Sequence, residues 1–311
     1  MKAAFIFSGQ GAQSVGMGKD IYDMSPAGKA IYDEANKVLG WDLTSVCFEG
    51  PAEKLMESKY CQVAIFVTSM ACLELFKEKT SGKITPVGCA GLSLGEYAAF
   101  CCSGFFKFAD AVKLVAKRAE LMDEATRKAK GTMASIITNG GISAEEISKV
   151  CEECGIGVAN YNSAMQIVIS GNVDGVAKAS EILKGTPGVR KIIPLKVAGA
   201  YHSPMMAEAG QALAPFLEAT PVNPMTIPVA QNFTGTITED PAQVKPNLIS
   251  QVAGSVRWVD CVNALSSLGA DTFIEFGPGT VLTGLVKKID PEKAVFNVGT
   301  FEDPDKIIAG I

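Results

Sequence analysis

The stretch "PVGCAGLSLGEYAAFCCSG" (86–104) decides how the rest of the chain is read. An apolar run up to Ala90 meets Gly91-Leu92-Ser93-Leu94-Gly95, and a second apolar run follows. Strand, sharp turn and helix in that order are the setting of a nucleophile elbow, G-x-S-x-G. Glycines flanking the serine permit a tight turn and close backbone approach. The helix N-terminus aims free N–H groups at the serine, and the N–H of Leu94 is the natural donor to an oxyanion. The same pattern also describes a glycine-rich strand-to-helix turn with an idle serine. A serine hydroxyl is a poor nucleophile until a base takes its proton.

On either side of the elbow, short apolar runs bounded by glycine alternate with helical patterns. "AAFIFSG" (3–9), "DTFIEFGPG" (271–279) and "AVFNVG" (294–299) read as further strands. "ADAVKLVAKRAELMDEAT" (109–126) has apolar residues at spacings of three and four, which predicts a helix. Strands alternating with helices predict a parallel sheet covered on both faces. Residues 132–197 break this rhythm. They read strand, helix, strand, strand, helix, strand, the order of the ferredoxin-like βαββαβ unit. Ser143 followed by Glu146 is a capping-box start for the first of those helices, and "RKAKG" (127–131) reads as a solvated entry linker. The expectation is a discontinuous catalytic domain, 1–128 and 198–311, with a small domain inserted at 129–197.

The chain has 311 residues, 48% of them hydrophobic and 20% charged, which suits a deep core. A net charge of -5 argues against a nucleic-acid partner. The most apolar stretch, "CQVAIFVTSMACLELF" (61–76), is interrupted by Gln62, Thr68, Ser69 and Glu74. It is expected to fall short of the roughly 18 apolar residues of a membrane span. The apolar run Ala3 to Phe7 is too short for a signal peptide and reads as a first buried strand. Nine cysteines at irregular spacings point to a reduced, cytoplasmic protein. Cys151 and Cys154 form a C-x-x-C. They close a helical pattern rather than open one, so they read as two helix-end positions and not as a redox or metal pair.

A base for Ser93 can be sought by elimination. The chain contains one histidine, His202, in "VAGAYHSPMM" (197–206). If Ser93 works with a histidine, it is this one. Gly199, Ser203 and Pro204 predict an exposed, shaped loop around it. Arg118 is the one arginine of four set inside a strongly apolar helical pattern. Its guanidinium needs a partner, because burying it unpaired is costly. A substrate carboxylate would match its planar fork, and a protein carboxylate or an exposed helix face would serve equally. The loop "GQGAQSVGMG" (9–18) does not fit a dinucleotide site. Counted from Gly9, the third glycine of G-x-G-x-x-G falls on Ser14, and counted from Gly16 it falls on Ile21.

Taken together, "FSGQGAQ" (7–13), "GLSLGEY" (91–97), "AKRAELM" (116–122), "NYNS" (160–163), "GAYHSPMM" (199–206), "QNFTG" (231–235), "RWVD" (257–260) and "EFGPGTVLTGL" (275–285) resemble the malonyl-CoA:acyl carrier protein transacylases over nearly the whole chain. The resemblance implies an α/β fold with an α/β-hydrolase-like parallel-sheet core around the inserted ferredoxin-like unit. It implies ping-pong transfer of a malonyl group from coenzyme A, through a serine ester, to the phosphopantetheine thiol of acyl carrier protein. Ser93 matches the nucleophile and His202 the general base. The backbone N–H groups of Gln10 and Leu94 match the oxyanion hole. Arg118 matches the partner of the malonyl carboxylate. Gln251 matches a position that orients the imidazole through a backbone carbonyl, with a carboxylate in that role as the alternative. Tyr201 stands where malonyl-selective relatives carry a bulky aromatic, which disfavours an α-methyl branch. Leu92 departs from the family, which usually has histidine there. The resemblance implies no metal and no resident cofactor, with malonyl-CoA as donor substrate. A chain without an appended domain points toward fatty-acid rather than polyketide synthesis. Two other readings of the same residues are a Ser–His esterase or thioesterase, and an inactive acyl-carrier-binding relative.

Overall fold

The computed structural model describes residues 1–310. Its eight strands are β1 (Ala3–Phe7), β2 (Gly88–Gly91), β3 (Gly131–Thr138), β4 (Gly157–Ser163), β5 (Gln166–Asn172), β6 (Val189–Pro194), β7 (Thr272–Phe276) and β8 (Ala294–Val298). They form two four-stranded sheets. The first is parallel, in the order β2-β1-β7-β8. The second is antiparallel, in the order β4-β5-β3-β6. This mixed α/β architecture is the expected one. The second sheet comes from a continuous βαββαβ segment, with helices Ala144–Glu153 and Val173–Lys184 on one face. The Ser143–Glu146 capping box opens the first of these helices.

Strand β1 shows why the parallel sheet is buried on both sides. Ala3, Phe5 and Phe7 join one hydrophobic cluster, and Ala4 and Ile6 join another. Alternate side chains point to opposite faces, so an unbroken apolar run supplies both layers. On the first face Phe5 meets Phe276 with ring centroids 4.8 Å apart and Phe76 at 5.8 Å. Helices Trp258–Ser267 and Val281–Ile289 cover the second face. Buried Glu275 accepts the N–H groups of Leu282 and Thr283 and so caps the second of these helices.

The 61–76 stretch lies in a 23-residue helix, Ser58–Thr80, which by length and composition alone could cross a membrane. The polar residues that were expected to interrupt it do not. Thr68 Oγ1 bonds Tyr32 Oη at 2.8 Å, and Gln62 accepts from Arg118, so neither is left unsatisfied. In this fold 83% of the helix's most apolar window is buried against protein. It is the central core helix on the first face of the parallel sheet.

Strand β6 ends at Pro194, short of residue 197, where the βαββαβ reading of 132–197 ends its last strand. Leu195 and Val197 instead line a cavity of about 680 Å³ between the two sheets. Backbone bonds tie the antiparallel sheet to the rest of the molecule, Tyr161 N–H to Val256 O at 2.9 Å and Val256 N–H to Ala159 O at 2.8 Å. Cys151 is a buried helix residue whose thiol is pushed up to about 12 by burial, and it is not joined to Cys154.

Candidate active site

The parallel register places two loops side by side. Phe7 of β1 pairs with Gly91 of β2, so the chain leaves both strands at the same sheet edge. Ligands bind parallel sheets at these carboxyl ends. The elbow is compressed. A Cβ on Gly91 would sit 2.0 Å from the carbonyl of Gly95, and a Cβ on Gly95 would sit 2.3 Å from Phe7 O. Ser93 itself takes φ 54°, the left-handed region that a non-glycine residue enters only under constraint. This turns its side chain out of the β2–helix corner toward the cavity it lines.

His202 Nε2 lies 2.7 Å from Ser93 Oγ, although 109 residues separate them in sequence. His202 Nδ1 lies 2.9 Å from the backbone carbonyl of Gln251. A carbonyl only accepts, so Nδ1 carries the proton and Nε2 is left free to accept one from Ser93. The carboxylate alternative for orienting the ring is not what the structure shows. His202 is also not in an exposed loop. It is 6% exposed, at φ 55°. Glycine and proline around it marked a turn correctly, but that turn is folded under the end of helix Val244–Ala253, which carries Gln251. Burial, and secondarily the Arg118 charge, lower the imidazole from its ordinary 6.5 to about 4. The ring is therefore neutral, the form a general base needs.

Arg118, on helix Phe108–Lys128, is 1% exposed. Its Nη2 donates to Ser93 Oγ at 2.8 Å and to Gln251 Oε1 at 3.1 Å, and Nη1 donates to Gln62 Oε1. Among the described residues no carboxylate lies within ion-pair distance of it, and its Nε has no partner. Burial draws its pKa down.

Gln10 and Leu94 belong to the two adjoining loops. Neither backbone N–H is donated to a protein acceptor among the described residues. Gly9 brings the first loop against the elbow, because a Cβ there would meet Leu92 O at 2.6 Å. An oxyanion hole is built from unspent backbone donors of this kind. Tyr201 lines the cavity, and its hydroxyl bonds Ser58 Oγ at 2.6 Å. Leu92 also lines the cavity and packs on the second apolar cluster. All seven residues expected at the site thus converge on it.

Four residues in or beneath the site were not singled out from the sequence: Gln62, Glu96, Gln231 and Asn232. Asn232 Oδ1 accepts the Ser93 N–H at 2.6 Å. Glu96, fully buried, accepts from Gln231 Nε2 at 3.0 Å, the Asn232 N–H at 2.8 Å and Gln251 Nε2 at 3.0 Å. On the opposite wall Ser135 Oγ and Asn162 Oδ1 have no partner among the described residues, and both residues line the cavity.

Residues 4–295 match the acyl transferase domain. The chain belongs to the acyl transferase family. This acyl transferase is 43% identical over 311 residues to the malonyl CoA-acyl carrier protein transacylase of Bacillus subtilis, covering 98% of this chain and 95% of that one. The solved MCAT of Streptococcus pneumoniae superposes with a TM-score of 0.93 at 37% identity, with both chains covered completely. A malonyl-transacylase solved in complex with a type II PKS acyl-carrier protein superposes at 0.94 with 32% identity, again over both chains in full. For an acyl transferase the constellation has a direct chemical reading. It sets a serine hydroxyl against a neutral imidazole, beside two backbone N–H groups without a protein acceptor among the described residues and one buried cation.

Proposed function

We propose that this acyl transferase moves a malonyl group from malonyl-CoA to the phosphopantetheine thiol of an acyl carrier protein, by a ping-pong route through a Ser93 ester. The carrying observation is Arg118, a buried guanidinium with no carboxylate partner among the described residues, 2.8 Å from Ser93 Oγ. A buried cation left without an internal anion favours a substrate that brings one. Malonyl carries a carboxylate close to its thioester carbonyl. Arg presents its donors in a fork matched to such a group. The names of the relatives support the same reading.

In the first half-reaction Ser93 Oγ attacks the thioester carbonyl while His202 Nε2 takes its proton. The carbonyl oxygen becomes an oxyanion held by the Gln10 and Leu94 N–H groups. Collapse breaks the carbon–sulfur bond, and the imidazolium returns the proton to the leaving thiolate. In the second half the carrier's thiol enters in place of coenzyme A, and the same steps run in reverse. Ser135 and Asn162 are free to bond polar groups of the thioester arm. Free cysteines throughout support a reducing, cytoplasmic setting.

The test is intact-mass spectrometry and peptide mapping after mixing with malonyl-CoA. A malonyl adduct on Ser93 is expected, and none in Ser93→Ala. An adduct on Cys101 or Cys102 would refute the assignment. Release that is equally fast without carrier protein would make the chain a thioesterase.

A further inference from the structure

The mechanism uses Ser93, His202 and Arg118, yet leaves a buried carboxylate beneath them without a role. We propose that Glu96 is a positioning residue for acyl transfer, whose carboxylate holds the two residues, Asn232 and Gln251, whose side chains clamp the strained Ser93 peptide. This rests on the acyl-transfer reading above.

The geometry is a chain of contacts with one anchor. Ser93 is held at φ 54° by bonds on both of its backbone groups. Its N–H donates to Asn232 Oδ1 at 2.6 Å, and its carbonyl accepts from Gln251 Nε2 at 3.0 Å. The Asn232 N–H and Gln251 Nε2 both end on a single oxygen, Glu96 Oε2, at 2.8 and 3.0 Å. The other oxygen takes Gln231 Nε2 at 3.0 Å. The clamp also reaches the other two groups. The Gln251 backbone carbonyl fixes the His202 tautomer, and Gln251 Oε1 accepts from Arg118. One carboxylate thus sets where Ser93, His202 and Arg118 stand relative to one another.

Every contact to Glu96 is a donor pointing at it, so the site demands an acceptor-only group. The ionised carboxylate supplies this, and a protonated acid or an amide would turn a hydrogen toward a donor. Substituting the amide preserves shape and removes the match, which separates positioning from packing. The titratable groups that face Glu96 are Arg118, Tyr97 and Cys261, with His202 beyond Gln251. Burial pushes the Tyr97 hydroxyl up to about 12 and the Cys261 thiol up as well, so neither changes charge near neutrality. Burial also raises Glu96 from 4.5 to about 7 and lowers His202 to about 4. The two functional groups therefore titrate in separate ranges.

The experiment is single-turnover acylation by malonyl-CoA, followed by rapid-quench intact mass across pH, in wild type and Glu96→Gln. In parallel, the imidazole C–H resonances of the single histidine report the titration of His202 directly. Wild-type acylation should rise with pH through a step near 7 that does not coincide with the His202 titration. Glu96→Gln should be about 10- to 100-fold slower, the scale of a small misplacement of reacting groups, and should lack that step. Wild-type acylation that tracks the His202 titration overturns the proposal without any variant. So does a folded Glu96→Gln with wild-type rates, or one that retains the step. A wild type that takes no acyl group overturns the acyl-transfer reading itself, and this proposal with it.

Discussion

Arg118 Nη2 donates to Ser93 Oγ at 2.8 Å, so the buried cation and the hydroxyl proposed to carry the acyl group are in direct contact before any substrate arrives. Arg118 also depresses His202. A substrate carboxylate that pairs with the guanidinium would cancel part of that field and make the imidazole a stronger base. Malonyl recognition and base activation are then one event.

Arg118→Ala should therefore split two substrates. Malonyl loses a desolvated partner, at about 2–5 kcal/mol, so its kcat/KM should fall by roughly 30- to several-thousand-fold. Acetyl-CoA makes no such pair, and its transfer should hold steady or improve as His202 becomes more basic. Steady-state kinetics with both thioesters, and circular dichroism to confirm folding, decide it. Equal losses would make Arg118 a support of the fold or of the coenzyme A moiety.

Tyr201 should limit the acyl group by its bulk. The ring lines the cavity, and its hydroxyl is tied to Ser58 Oγ at 2.6 Å, so it cannot swing aside freely. Tyr201→Ala should narrow the preference for malonyl-CoA over methylmalonyl-CoA. One methyl is worth roughly 1–3 kcal/mol, so a change of about 10- to 200-fold bounds the effect. Competition between the two thioesters, read by mass of the acyl-enzyme, measures it. An unchanged ratio would place the selectivity elsewhere.

The strands and the elbow were legible because each is a local pattern: a fully apolar run, a glycine pair, a change of period. His202 was legible through being the only histidine. Its burial was not, since Gly199 and Pro204 report backbone shape and say nothing of what folds over it. Asn232 and Gln62 were illegible for another reason. An amide acquires meaning only from partners brought by distant elements, and here those are the Ser93 N–H and the Arg118 guanidinium. Glu96 had a readable signal. It is a charge at the head of an apolar helix, and the argument that a buried charge needs partners, applied to Arg118, applies to it equally.

The elbow glycines give a paired stability test. In Gly91→Ala the new Cβ falls 2.0 Å from Gly95 backbone atoms and 2.5 Å from Glu96 N, and backbone cannot yield as a side-chain tip can. The cost should reach or exceed the upper end of the roughly 1–3 kcal/mol of overpacking. Gly284, exposed within helix Val281–Ile289, has open space at the same position. Gly284→Ala should stabilise by about 0.5–1 kcal/mol, as alanine does over glycine in a helix. Urea denaturation of both variants checks the pair, and a Gly91→Ala protein as stable as wild type would contradict the compressed elbow.

His202 and Glu96 should pull stability in opposite directions with pH. His202 is lowered to about 4 in the fold, against about 6.5 unfolded. Between those values the unfolded chain binds the proton more readily, so the His202 contribution is present above about pH 6.5 and lost as pH falls toward 4. Glu96 is raised to about 7 from 4.5. There the folded state holds the proton more tightly, so its contribution is present below about pH 4.5 and lost as pH rises toward 7. The windows overlap between about pH 4.5 and 6.5, where the two slopes offset each other. Taking variant minus wild type removes every other titrating group from the comparison. Relative to wild type, His202→Gln should lose stability as pH rises through the overlap, because only the Glu96 slope remains. Glu96→Gln should gain stability with rising pH, because only the His202 slope remains. At about 1.4 kcal/mol per pKa unit, each difference should span about 2–3 kcal/mol over the window. Urea unfolding of the three proteins at pH 4.5, 5.5 and 6.5 gives the curves. Parallel curves for all three would mean that neither group is held away from its ordinary pKa, and the neutral, buried base assigned to His202 would lose its support.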